Sequence, residues 1–436
     1  MLKLLNFHIL RAESRVSSIL FSNRQDPNSR IRVITLSILV GGFFVSLIMS
    51  WWSVGYPIWR HTLSDEGIFD DFYGIRDENP NDYYLQDPQY GANPPGTMLL
   101  GRLYALFPAR ASIVIFASFY LLTSSLVVMF VTNRKSSLLF MMFSFPFWFG
   151  IFRGNDDMYL FPLTLLLLWT FARGKLLVFG VIVGLMATIE PYFILFAFPL
   201  ILKKPIAWKM TVPPVLVLTI GWASMALIGS RDMSLYWSLA RSSPETYLEN
   251  MAFDNSGMLF GNSLFGLLKI LASYWFDFES AAAGRAFAMQ LHVPYVLTAG
   301  FTGVVVLTRL FYRRNSLSSV FSVLAILLIL LPHVAATYKL VVLSAILIYQ
   351  LFDEDSKLTY VKWRVICLAA ILMPKPFPYF GRVSFLGAFL DSIANPILMI
   401  GFLLFVLASN DDYLEDQAGL KPLFGNQKPS SVEIAE

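Results

Sequence analysis

The chain has 436 residues, 56% of them hydrophobic, 16% aromatic and only 14% charged. Soluble domains carry about 25% charged residues. This balance, with a mean hydropathy of +0.61, therefore excludes an ordinary water-soluble domain and predicts an all-α, polytopic transmembrane bundle. A net charge of +4 excludes little by itself, whereas a single cysteine, Cys367, excludes an intramolecular disulfide and a thiolate metal cluster.

Residues 1–30 mix apolar residues with Lys3, Arg11 and Arg15 and read as an amphipathic segment on the cytoplasmic membrane surface. The first apolar run, Ile31 to Val54, is too long for the core of a cleavable signal and reads as a retained span. An outer segment of roughly 55–110 follows, dense in carboxylates (Asp70, Asp71, Asp77, Glu78 and Asp82). Further apolar helices are predicted near 111–132, 138–152, 157–171, 176–189, 191–202, 209–229, 289–312, 317–332, 338–352, 361–374 and 385–408, about twelve in all, several too short to span comfortably. A transmembrane domain thus covers 31–408, with a polar tail over 409–436.

Basic residues orient the bundle. With the N-terminus in the cytoplasm, Arg134-Lys135, Arg173/Lys175, Lys203-Lys204, Arg313-Arg314 and Lys362/Arg364 all fall inside. Polar content then collects outside, in long segments near 55–110 and 230–288 and in tight turns: "FRGNDDMYL" (152–160), "TIEPYF" (188–193), "LPHVAATYK" (331–339) and "PKPFPYFGR" (374–382). Polar groups at the ends of short spans are costly and line cavities, so the working side is predicted to be extracytoplasmic.

There is no Walker loop, no GxGxxG before a helix and no HExxH, and the four histidines (His8, His61, His292, His333) are scattered in sequence. Short basic cytoplasmic loops offer no nucleotide-sugar site. Energy for a reaction outside must arrive on a membrane-borne donor, and a polyprenyl phosphate sugar is such a donor. Inverting glycosyl transfer needs a carboxylate to take the acceptor's proton and cationic or hydrogen-bonding groups to hold the departing phosphate. A carboxylate shortly after the first span meets the first need.

Four stretches resemble a known family. "DDFYGI" follows the first span, and "YGANPPGTMLLGRLYALFP" follows it. "FRGNDDMYL…ARGKLLVFGVIVGLMATIEPYF" has a Gly-Asn turn, a short span, a basic turn, a Gly-rich span and a charged residue before Pro. "FGNSLFGLLK" lies in the late outer loop, and "LPHVAATYKLVVL" closes the set. In this order they resemble GT-C-type integral membrane glycosyltransferases, most closely glycosyltransferase family 87, over residues 31 to about 350. The resemblance implies a GT-C-like helical bundle and transfer of a hexose, mannose in the family, from a polyprenyl monophosphate to a glycan or glycolipid acceptor. It implies no metal and no cofactor beyond the lipid-linked donor. The chain departs from the family at Glu190, where members usually carry Lys, and at Thr337, which aligns with the family His while His333 lies four residues earlier.

Asp71, by its match to the family's Asp-Phe motif, is the expected base, with Asp70 next. Arg153, Asn155, Glu190, His333, Tyr338 and Lys339 are the expected donor phosphate and sugar contacts, and Asn262 and Ser263 the acceptor or loop contacts. Each has a plainer reading: loop solvation for the Asp pair, helix capping for Asn155, Asn262 and Ser263, snorkelling for Lys339, and an ion pair with Arg153 for Glu190. Expected partners are membrane lipids, the donor and the acceptor, with no nucleic acid. The default location is a bacterial cytoplasmic membrane. A lipid-linked polysaccharide polymerase or ligase is the nearest rival. A transporter or flippase is the rival from another class, for which no inverted repeat is visible.

Overall fold

A computed structural model describes residues 28–51, 72, 95–199, 212–221, 245, 248–253, 261–276, 280–312, 317–335, 337–352, 358–375, 378–380 and 387–408. Residues 1–27 of the predicted surface segment, the polar tail, and Asp70 and Asp71 lie outside the described residues, while residues 29 and 30 of that segment already belong to the first helix.

The helices in chain order are α1 (Ser29–Trp51), α2 (Pro95–Ala105), α3 (Ala109–Thr132), α4 (Ser137–Met142), α5 (Phe145–Arg153), α6 (Leu160–Ala172), α7 (Leu176–Ile189), α8 (Val212–Gly221), α9 (Leu264–Phe276), α10 (Ala281–Tyr312), α11 (Leu317–Leu330), α12 (Val341–Phe352), α13 (Leu358–Leu372) and α14 (Asp391–Ala408). Short 3₁₀ segments stand at Asp156–Tyr159, Pro191–Ala197 and Thr337–Leu340. Among the described residues, four helices are long and apolar enough to cross a membrane: Ser29–Ile48, Ala109–Thr132, Ala282–Leu310 and Asp391–Ala408. Shorter apolar helices accompany them. The chain is a multi-pass helical membrane protein.

Helix α3 shows what solvent it was built for. Every fourth residue faces inward (Ser112, Phe116, Tyr120, Ser124, Val128 and Thr132), so half of its buried stripe is hydroxylated and small. Its outer face carries Val114, Phe119, Leu122, Leu126 and Phe130, all exposed. In water that polarity would be inverted. In lipid, apolar side chains belong outside, and small or hydroxylated residues let helices approach. At the centre lie α6 and α12, packed on one another, with α3, α7, α11 and α13 around them. Every residue of α12 is buried, as expected of a helix apolar all round. With 12 residues α12 rises only about 18 Å. It and α6 are each preceded by a 3₁₀ segment, and those segments carry the polar residues described below.

Several expected boundaries move. The helix predicted over 138–152 is two helices: Ser144 is extended (φ −77°, ψ 112°) ahead of Pro146, which cannot donate to a continuing helix. The stretch expected as a helix from 191 is 3₁₀ over Pro191–Ala197. Helix α10 starts at Ala281, eight residues before its predicted start. The helix expected from 385 begins at Asp391, and Gly387–Phe389 instead pairs antiparallel with Pro378–Phe380, Tyr379 facing Ala388. Apart from this small ribbon the described residues are helical, as the all-α expectation has it. Cys367, on α13, is half-buried with its Sγ toward the Leu398 carbonyl.

Candidate functional site

Helix α5 ends at Gly154, whose φ of 69° is a left-handed conformation that glycine adopts without steric cost; its N–H closes onto the Gly150 carbonyl at 2.9 Å. Asn155 then accepts from the Asp157 N–H at 2.9 Å, the capping role open to it from sequence. This turn fixes Asp156 and Asp157, both buried, at the start of the 3₁₀ segment. The Thr97 hydroxyl of α2 donates to Asp156 Oδ2, and the Tyr104 and Tyr159 hydroxyls meet beside it. Phe72, the first described residue after the Asp pair, is fully buried against Tyr104 and Phe116, ring centroids 5.1 and 5.2 Å away.

Helix α7 stops at Glu190, held extended (φ −136°, ψ 106°) by the proline that follows. Two residues earlier, Thr188 lies so close to Gly96 of α2 that a Cβ on Gly96 would stand 2.9 Å from the Thr188 backbone. Lys339 reaches the same place from the 3₁₀ segment ahead of α12. Its Nζ lies 2.5 Å from Glu190 Oε1 and 3.8 Å from Asp157 Oδ2, donates to the Tyr192 hydroxyl, and sits 4.9 Å from the Tyr192 ring centre. Two carboxyls thus flank one ammonium. Burial, then the nearby Glu190 charge, holds the Asp157 carboxyl well above the usual carboxylate range, against the pull of Lys339. The cluster therefore holds a close Glu190–Lys339 ion pair with the raised Asp157 carboxyl beside it. Glu190 pairs with Lys339, not with the Arg153 expected from sequence. Among the described residues, no group of three or more His, Cys, Asp or Glu side chains is placed to hold a metal ion.

A second cluster is joined to the first by the turn between α11 and α12. The Asn262 N–H donates to the Ala335 carbonyl at 2.7 Å and its Nδ2 to Thr337 Oγ1 at 3.3 Å. Ser263 Oγ donates to the His333 carbonyl at 2.7 Å and accepts from the Gly266 N–H at 3.0 Å, capping α9. Asn262 Oδ1 accepts from Asn395, whose own Oδ1 accepts from Lys375 Nζ at 2.6 Å; Lys375 N–H donates to Asp391 Oδ1 at 3.0 Å. The His333 ring lies against Phe265 and Tyr295, with Nε2 2.8 Å from Nδ1 of His292. Burial, with His292 and Lys269 nearby, pushes His333 down to about 4.

The expected site residues therefore divide. Asn155, Glu190 and Lys339 belong to the carboxylate cluster, and Arg153 ends α5 just before that turn. His333, Asn262 and Ser263 belong to the other, with Asn262 and Ser263 spent on loop and cap bonds. Tyr338 lies on the Thr337–Leu340 segment, its side chain outside the described residues. Sequence reading missed Thr97, Tyr192, Lys269, His292, Lys375 and Asn395 as site residues. Two carried a signal: Tyr192 directly follows the Glu-Pro break, and His292 is an ionisable residue inside an apolar run. No protein-family model, curated protein or solved structure matches this chain.

Proposed function

We propose that the chain is a GT-C-type membrane glycosyltransferase that moves a hexose, mannose by the resemblance, from a polyprenyl monophosphate to a glycan or glycolipid acceptor on the extracytoplasmic side of a bacterial cytoplasmic membrane. One observation carries this reading. The stretches that resemble the family, far apart in sequence, touch one another: Thr97 of the first with Asp156 of the second, Glu190 of the second with Lys339 of the fourth, and Asn262 and Ser263 of the third with the fourth. A bundle held only by lipid-facing packing has no need to gather these polar turns.

In the proposed reaction Asp71, the chain neighbour of the anchored Phe72, takes the proton of the acceptor hydroxyl, with Asp70 as the alternative base. The hydroxyl oxygen forms a bond to the anomeric carbon as the bond from that carbon to the phosphate oxygen breaks, inverting the centre. Polyprenyl phosphate leaves with the electron pair. Lys339 faces the departing phosphate from the carboxylate cluster, Arg153 from the end of α5 and His333 from the other cluster. Positioned general bases contribute about 10²–10⁴-fold. Purified protein in liposomes is given radiolabelled polyprenyl-phosphate mannose and a glycolipid acceptor extract. Transfer to acceptor, reduced at least ~100-fold by Asp71→Asn, supports the reading. Movement of label across the bilayer without transfer establishes the transporter instead.

A further inference from the structure

Helices α3 and α6 run side by side in one direction. Tyr120 meets Tyr159 with ring centroids 6.0 Å apart, and Phe130 meets Trp169 at 4.9 Å. The same offset in sequence separates both pairs. Carried four residues on, it sets Arg134 opposite Arg173, one helix spacing of about 8–10 Å away. Each helix ends there in a tight turn through a left-handed residue. The Asn133 N–H (φ 50°) closes onto the Met129 carbonyl at 2.9 Å, and the Gly174 N–H (φ 69°) onto the Phe171 carbonyl at 3.0 Å. One turn carries Arg134 and Lys135, the other Arg173 and Lys175. Lys135, Arg173 and Lys175 are exposed and Arg134 is half-buried. The sequence has no Asp or Glu from 109 to 155 or from 158 to 189, and among the described residues none of these four cations has a carboxylate partner. Lys175 Nζ stands 4.5 Å from the Trp169 ring centre and Arg173 Cζ 5.6 Å from it, an aromatic–cation grouping suited to the membrane–water interface. From Trp169, Leu166 and Leu163 continue at helical spacing as a half-buried strip, while the other residues of α6 up to Phe171 are buried. Exposed Leu126 and Phe130 of α3 and Leu177 and Val178 of α7, the helices packed on α6, border it. From Leu163 to Arg173 the helix rises about 15 Å, the depth of one leaflet in a hydrocarbon core of about 30 Å.

We propose that these two turns bind the headgroup of cardiolipin, with Arg134 and Lys135 on one phosphate, Arg173 and Lys175 on the other, and an acyl chain along the Trp169–Leu163 strip. Position selects a lipid over a soluble anion, because the cations head a strip that faces the bilayer. Number selects the lipid. Cardiolipin joins two phosphodiesters through one glycerol and so presents two negative charges to two cation pairs a helix spacing apart. An ordinary anionic phospholipid brings one phosphodiester and leaves one pair unanswered. The site lies at the opposite end of α6 from the Asp156–Tyr159 segment, away from the carboxylate cluster. It stands whether or not the chain transfers sugar.

Native mass spectrometry of the full chain in mild detergent, titrated with cardiolipin, counts bound lipid by mass. Each basic residue near a membrane surface is worth about fivefold in affinity for anionic lipid. Arg134→Gln with Lys135→Gln, and Arg173→Gln with Lys175→Gln, should therefore each weaken cardiolipin binding ~10-fold or more. Lys362→Gln, which removes an exposed cation from α13, should leave it unchanged. Wild-type protein should bind phosphatidylglycerol ~10-fold more weakly than cardiolipin and phosphatidylcholine more weakly still. Deacylated cardiolipin should compete poorly, since it lacks the chain that lies on the strip. Unchanged affinity in both double variants overturns the site. So does an equal loss in Lys362→Gln, which would mean that net charge alone is read. Phosphatidylglycerol or deacylated cardiolipin binding as tightly as cardiolipin in the wild-type protein overturns it without recourse to any variant.

Discussion

Replacing Lys339 by Met removes the ammonium that Glu190 and Asp157 flank and leaves the hydrophobic stem in place. At 2.5 Å from Glu190, an effective dielectric near 20 puts the gross attraction at about 7 kcal/mol. Most of that is offset by the cost of bringing both ions out of water. Stripping one partner from such a pair nevertheless costs about 3–5 kcal/mol, because the other charge stays buried and unpaired. Lys339 and Glu190 are 12% and 20% exposed, so solvent relieves little of this. Unfolding entropy near 2 cal/mol/K per residue turns the loss into a fall of roughly 3–5 °C in the thermal midpoint of the detergent-solubilised protein. Glu190→Gln should cost nearly as much, and the double variant much less than the sum. Asp157→Asn should cost under ~1 kcal/mol, because burial and the Glu190 charge already work against the charged form of this carboxyl. Scanning fluorimetry of the four variants closes the cycle. Additive Lys339 and Glu190 losses, or an Asp157→Asn penalty as large as that of Glu190→Gln, would refute the charge assignment.

The raised Asp157 carboxyl also sets a pH dependence. Its folded value lies above the unfolded value of 3.8, so its contribution is complete below 3.8 and is lost as pH rises through the folded value. Asp157→Asn should flatten that alkaline decline in midpoint. His333 works in the opposite direction: depressed from 6.5 to about 4, it contributes above 6.5 and loses that contribution as pH falls toward 4. His333→Gln should reduce the acid-side loss, measured over the same series. Gly96→Ala drives a methyl into the Thr188 backbone at 2.9 Å. It should cost about 1–3 kcal/mol and reduce transfer, whereas Gly303→Ala, whose nearest neighbour is Leu331 Cδ1 at 3.6 Å, should do neither. Lys375→Met leaves the buried Asp391 and Asn395 oxygens short of a donor and should lower the midpoint by a few degrees, about 2–3 kcal/mol.

Hydropathy exposed the spans because burial in lipid and burial in protein both select apolar residues. For the same reason it could not place their ends. The α4–α5 break is apolar on both sides, and only Pro146 marked it. The strand Gly387–Phe389 is a short apolar run that periodicity cannot tell from a helix start. Sequence also picked out the polar turns at 152–160, 188–193 and 331–339, which meet through Asp157, Glu190 and Lys339. It could not pair them. Arg153 is nearer Glu190 along the chain than Lys339 is, and only the packing of α7 against the core brings the more distant lysine into contact. His292 was passed over because its chemistry depends on His333, 41 residues away.

The half-buried thiol on α13 offers an experimental foothold on orientation. Exchanging Cys367 for serine removes every native sulfhydryl in one step. Single reporters can then be planted at the α3–α4 and α6–α7 turns, or beside the α11–α12 connection. A membrane-impermeant maleimide added to intact cells should label only the last of these, and the reverse pattern would turn the bundle upside down.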